Sequence, residues 1–203
     1  MRYIILSFAI LAITTLAAFT NIKTLTVTST AFSSNSPIPV KYTCLGQGIN
    51  PPLTITDIPP EAKSLAIIVC DPDASTKIVT PVTTTQVSHK KGHKKTTVTK
   101  GARTMDACTI NGYMNWIVWN VDVTDNIPED FRTETVGVNS AGHNSYQGMC
   151  PQAGSHKYHF IVYALDTKLN IDKNTDKAGL EKVMTGHILA KGELIGEYNK
   201  TYR

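Results

Sequence analysis

Asp71, His156 and Tyr158 are the residues of this chain whose types and settings point most directly to chemistry. Asp71-Pro-Asp73 follows an apolar run, Ser64-Leu-Ala-Ile-Ile-Val-Cys70, so a core strand delivers two acids at its carboxyl end. His156 and Tyr158 close the stretch Gly148-Met-Cys-Pro-Gln-Ala-Gly-Ser-His-Lys-Tyr158, which runs into a second apolar segment, His159 to Leu165. Their two-residue spacing places both on one face of a strand. An imidazole beside open backbone amides near Gly148 can face an anion, and Asp71 can orient the imidazole or accept from an ammonium group. Gly148 and Gly154 permit close approaches and backbone geometries that a Cβ would block, while Pro151 stiffens the loop between them. The expected product is a small, polar, aromatic-lined pocket. Each motif also has a plainer reading, in which Asp71 and Asp73 bond local amides in an Asx-type turn and the glycine-rich loop merely precedes a strand.

Binding fits these residues better than catalysis. Asp71 and His156 could form an acid–base pair, but no Gly-x-Ser-x-Gly elbow or other placeable nucleophile accompanies them. His89 and His93 have the i, i+4 spacing of a helical metal pair, yet Gly92 and the surrounding lysines oppose a helix there. Cys44, Cys70, Cys108 and Cys150 contain no CxxC pair, which argues against a zinc site or a thioredoxin-like motif. Neither a metal nor a cofactor is expected.

The elements that position these residues are mostly strands. Leu25 to Thr30 alternates apolar and polar side chains, and Ser36 to Cys44 is interrupted by prolines, as suits an edge. Leu53 to Ile58 resumes the alternation after a turn-rich loop. Tyr113 to Val121 is a second core strand, with Asn115 near its start and Trp116 expected on the opposite face. One helix is expected from Thr175 or Asp176 to near Gly186, with Leu180, Val183 and Met184 as its apolar stripe. Ile188 to Ala190 and Glu193 to Tyr198 supply one or two late strands. The chain therefore reads as a mainly β domain with a small helical addition.

Two segments stand apart. Residues 1–20 combine Arg2 with an acid-free apolar run, and the run is nearer a signal h-region of about 7–15 residues than a spanning helix of about 20. A signal peptide is expected, then a single domain over 21–203, secreted or periplasmic. An oxidising destination makes one or two disulfides reasonable, with three possible full pairings. The segment 75–111 is threonine- and lysine-rich. It carries Lys77, Lys90, Lys91, Lys94, Lys95, Lys100 and Arg103 against Asp106 alone, and reads as an inserted β-hairpin turning at Gly92. The basic character behind the net charge of +4 is therefore local to this segment, the remainder being slightly acidic, and no specific nucleic-acid partner is predicted.

Taken in order, Tyr42-Thr-Cys-Leu-Gly46, Asn50-Pro-Pro-Leu53, Asp71-Pro-Asp-Ala74, Trp116-Ile-Val-Trp-Asn120, Gly148-Met-Cys-Pro151, Gly154-Ser-His-Lys-Tyr158, Tyr163-Ala-Leu-Asp166 and Gly186-His-Ile-Leu-Ala190 resemble the phosphatidylethanolamine-binding protein family, in particular its bacterial branch of Raf kinase inhibitor-like proteins. The resemblance implies two packed antiparallel sheets with short peripheral helices and a small anion pocket at one end. It places the ligand-binding roles on Asp71, Asn115, Gly148, His156 and Tyr158, with Tyr113 in the place of a nearby family aromatic. A small anionic or phosphorylated ligand, with a phospholipid-derived head group among the options, is what it implies. An interaction or inhibitory module acting on a kinase or protease, with the 75–111 hairpin as contact surface, is the alternative. Asn115 stands where the family usually has His, Ser75 where it has Pro, and Met149 and Gln152 where prolines are common. An asparagine can donate a neutral hydrogen bond but cannot become cationic.

Overall fold

The computed structural model describes residues 22–74, 108 and 112–200. The expected signal peptide and, Cys108 excepted, the expected hairpin lie outside the described residues. The strands are β1 (Lys23–Thr24), β2 (Thr26–Thr28), β3 (Ser36–Pro37), β4 (Leu53–Thr56), β5 (Ser64–Asp71), β6 (Tyr113–Val121), β7 (Asn126–Ile127), β8 (Ser155–Leu165) and β9 (Ile188–Asn199). One helix, α1 (Lys177–Met184), precedes β9.

The larger sheet runs β1-β9-β8-β5-β6, with β3 also paired to β9, and the smaller runs β2-β4-β7. The long ladders are antiparallel, as the family resemblance implies, whereas the short strands β1 and β3 lie parallel to β9. The alternation read from Leu25 to Thr30 holds β2 of the smaller sheet, while β1, just before it, joins the larger one. Of the one or two late strands expected, the structure has one, β9. Within it Gly192 marks a close approach: a Cβ there would lie 2.5 Å from the carbonyl oxygen of Leu25.

Two apolar layers explain the continuous hydrophobic runs. Leu65, Ile67, Val69, Trp116, Val118, Phe160 and Val162 face the smaller sheet, where Val27, Leu53, Ile55 and Ile127 complete the inter-sheet core. Ala66, Ile68, Ile117, Trp119, Ile161 and Tyr163 point the other way and are covered by Leu169 and by Leu180 and Met184 of α1. A strand buried on both faces has no polar alternation to show. The helix starts where its sequence signals put it, with the Asp176 side chain accepting from the Gly179 amide. Gly186 follows at φ 87°.

Strand β6 contains two bulges. Val69 pairs with Trp116 and Cys70 with Met114, so Asn115 is the extra residue; Ile67 pairs with Val118 and Leu65 with Val121, which leaves a second insertion at Trp119–Asn120. The first bulge breaks the pleat. Met114 faces the helix-covered layer and Trp116 the inter-sheet core, although residues two apart in a regular strand share a face. Asn120 relieves the second by adopting φ 53° and exchanging hydrogen bonds with Leu169, donating to its carbonyl and accepting from its amide.

All four cysteines are paired, Cys44 with Cys150 and Cys70 with Cys108. The first pair joins residues 106 apart in sequence, for which chain-entropy arguments give roughly 5 kcal/mol of stabilisation. Denaturation without reductant should therefore expose no thiol to an alkylating agent. The same protein heated with reductant should melt at a lower temperature, checked by mass spectrometry and by circular dichroism respectively.

Candidate functional site

The site forms where three strand ends meet. The register sets Asp71 at the carboxyl end of β5 opposite Tyr113 at the start of β6, and Cys70 opposite His159 of β8. His156 and Tyr158 therefore arrive at the same end of the sheet as Asp71. A cleft of about 650 Å³ opens there, and its walls include all six residues singled out by sequence: Asp71, Tyr113, Asn115, Gly148, His156 and Tyr158. Such a volume suits a small ligand or head group.

Asp71 does two jobs at once. Its Oδ1 accepts from the amides of Asp73 and Ala74, at 3.0 and 2.9 Å, which is the Asx-type turn anticipated from sequence. Its Oδ2 lies 2.8 Å from His156 Nδ1. With the carboxylate accepting from Nδ1–H, Nε2 is the ring nitrogen presented to the cleft. Asp71 is 3% exposed, so its carboxylate is committed to protein donors and is not an open acceptor for an ammonium group. Asp73 reinforces the arrangement by accepting from the Lys157 amide at 2.8 Å, which fixes the start of β8 against the turn.

Tyr158 is 1% exposed, and its buried hydroxyl makes no well-formed hydrogen bond but lies beside the Asp71 carboxylate and the Cys150 backbone. Burial, reinforced by the nearby Asp71 carboxylate, pushes its phenol well above the ordinary value, so it remains an O–H donor at any physiological pH.

Asn115 behaves differently from expectation. Its Nδ2 donates to the Gln147 carbonyl at 3.0 Å, and the Gln147 amide donates back to the Asn115 carbonyl at 2.9 Å. The donor expected to serve a ligand is thus engaged within the protein, and Oδ1 is left buried with no partner. Gln147 was not legible as a site residue. It also accepts from the Tyr113 hydroxyl at 2.8 Å, so one loop residue positions two wall residues. The remaining wall is Ala74, Cys150, Pro151, Gln152 and Ala153. Among the described residues lining the cleft there is no Lys, Arg, Ser or Thr, and Cys150 is held in a disulfide. No group of three or more potential metal ligands occurs among the described residues.

The loop carrying Gly148 is pinned from behind. Thr43 and Met149 form an isolated bridge, the Cys44 amide donates to the Met149 carbonyl at 3.1 Å, and the adjacent Cys44–Cys150 bond makes the tether covalent. Gly154 turns the chain into β8 at φ 77°, a conformation that favours glycine.

The family model described as phosphatidylethanolamine-binding protein matches residues 28–199. The chain belongs to that family. A UPF0098 protein of Chlamydia muridarum is 38% identical over 176 residues, covering 86% of this chain and 98% of its own length. Another from Pyrococcus horikoshii is 36% identical over 183 residues, covering 85% and 75%. Among solved structures, a putative phosphatidylethanolamine-binding protein homologue from Chlamydia trachomatis is 35% identical with a TM-score of 0.68, over 88% of this chain and 99% of that one. The Escherichia coli protein YbcL shares the fold at 22% identity and a TM-score of 0.65, over 87% and 99%. The mainly β, two-sheet architecture described above is that of these family members.

A Cβ on Gly148 would lie 2.7 Å from the Thr43 carbonyl carbon and 3.0 Å from the Cys44 nitrogen, backbone atoms that no rotamer change can move aside. Gly148→Ala should therefore push the loop off the 43–44 segment and destabilise the domain by about 1–3 kcal/mol, read as a lowered midpoint in thermal or denaturant unfolding.

Proposed function

We propose that this chain is an exported binding protein whose cleft takes a small anionic or phosphoryl head group. The observation that carries the reading is a buried polar wall: His156, oriented by the Asp71 carboxylate with Nε2 toward the cleft, and beside it Asn115, whose Oδ1 is buried without a partner. Buried polar groups are nearly always bonded, so an unpartnered polar atom in a cleft wall is a reason to look for a ligand. Membership of a family described as binding phosphatidylethanolamine supports a phosphoryl ligand, since that head group joins a phosphate to an ammonium. Export is supported by the apolar N-terminal run and by the pairing of every cysteine.

The electrostatics favour a singly charged or zwitterionic ligand. The cleft wall holds two carboxylates, Asp71 and Asp73, and one imidazole. Among the described residues of the wall, no Lys or Arg would offset those acids for a dianion.

Calorimetric titration with phosphorylethanolamine, phosphate and acetate tests this reading. The native protein should bind at least one of the phosphorylated probes. His156→Ala and Asp71→Ala should each weaken that binding by about tenfold or more, the scale of one charge-assisted hydrogen bond. Affinities unchanged in both variants would remove the cleft assignment.

A further inference from the structure

The anion reading leaves one buried atom of the wall without a role, and that atom is an acceptor. Asn115 is 2% exposed, it sits in the β6 bulge, and its amide orientation is fixed: the Gln147 carbonyl can only be met by Nδ2. Oδ1 is therefore the end presented without a partner. The other candidate acceptor, the Asp71 carboxylate, already receives two amides and the imidazole. An anion offering only lone pairs would leave Asn115 Oδ1 facing a like partial charge, with its desolvation uncompensated.

Resting on the anion reading above, we propose that Asn115 is a specificity-determining residue and that its Oδ1 selects anions carrying their own hydrogen-bond donor. Two chemistries meet that requirement. A phosphate monoester in its singly protonated form supplies a P–OH. A zwitterionic head group supplies an ammonium N–H beside its anion. A fully deprotonated anion without such a group is discriminated against, because it leaves the buried Asn115 acceptor unserved. Had the side chain at this position been a charged imidazole, the wall would offer a donor there and the selection would disappear.

Methyl phosphate and methyl sulfate isolate the effect. At roughly pH 5, below a phosphate monoester's second ionisation near 6, both are monoanions of similar shape, and they differ by one hydroxyl proton. The charge state of His156 is then common to both titrations. 2-Aminoethyl sulfate adds an ammonium without a P–OH.

Calorimetry or nuclear magnetic resonance titration of the full mature protein should show methyl phosphate binding about tenfold or more tighter than methyl sulfate. Tight binding of 2-aminoethyl sulfate, with weak binding of methyl sulfate, would support the inference and name the ammonium as the donor. Asn115→Leu, similar in size and without the acceptor, should abolish the preference. Asn115→His, the residue type that the family resemblance expects, should do the same and guards against a leucine variant that fails to fold. Equal affinities for all three ligands in the native protein would overturn the inference while leaving an anion cleft in place, as would a preference that persists in Asn115→His. Binding of none of them would overturn the anion reading and this inference together.

Discussion

The structure around the cleft depends on one carboxylate being fully bonded while buried. Asp71 lies at the end of a strand whose residues are all buried. A lone carboxylate there would face a desolvation cost of several kcal/mol. Three donors offset it: the amides of Asp73 and Ala74, and Nδ1–H of His156. Each bond also fixes something else. The two amides set the turn that leaves β5, and the imidazole bond joins β5 to the start of β8. The Asp71–His156 pair is therefore a structural joint and the means of aiming Nε2, which is why a change at either residue is expected to act on ligand affinity through geometry as well as charge.

A second constraint acts from the β6 side. The bulge at Asn115 adds one residue against β5, turns Trp116 into the inter-sheet core and leaves the asparagine at the cleft wall. Trp116 then packs edge-on against Tyr146, with ring centroids 5.6 Å apart, and Tyr146 belongs to the same loop as Gln147. The Tyr146 hydroxyl in turn donates to the Met149 sulfur at 3.1 Å. The aromatic packing that places the loop thus also places the carbonyl that takes the Asn115 amide. The placing of Asn115 at the wall follows from core packing one residue away.

Much of this was legible in the sequence, for identifiable reasons. Strands β5 and β6 are apolar runs bounded by turn formers, so their extents were readable, and the two-residue spacing put His156 and Tyr158 on one face; β8 starts at Ser155, earlier than its apolar run from His159, because its first residues are polar. Register was not readable. Whether Asn115 or a neighbour is the extra residue depends on which β5 residue it meets, a property of the pair of strands. That Ile188 to Ala190 and Glu193 to Tyr198 form one strand was left open, because a sequence does not show that Leu25 passes over Gly192 between them. Gln147 carried no signal, since a loop glutamine acquires its role only from the carbonyl and amide it offers Asn115. The disulfide pairing stayed open among three possibilities for the same reason: Cys44 meets Cys150 because Thr43 bridges Met149, a contact between segments more than a hundred residues apart.

The Cys44–Cys150 bond gives the cleft its rigidity where packing is thin. Between Gly148 and Ser155 only Gly148, Met149 and Pro151 are buried, while Cys150 and residues 152–155 are exposed. A segment with so little buried apolar surface would ordinarily fluctuate, and a ligand contacting it would bear the entropy of ordering it, roughly 1–2 kcal/mol per residue. The covalent tether, with the Cys44 amide bond beside it, removes part of that freedom before any ligand arrives. A wall held in advance can discriminate by hydrogen-bond polarity, because a mobile one would rotate an unmatched acceptor toward solvent. Asn115 Oδ1 cannot do so while Nδ2 is tied to Gln147 and the loop behind Gln147 is tied to Cys44. The oxidising setting proposed for the protein and the selectivity proposed for its cleft are thus linked through the same bond.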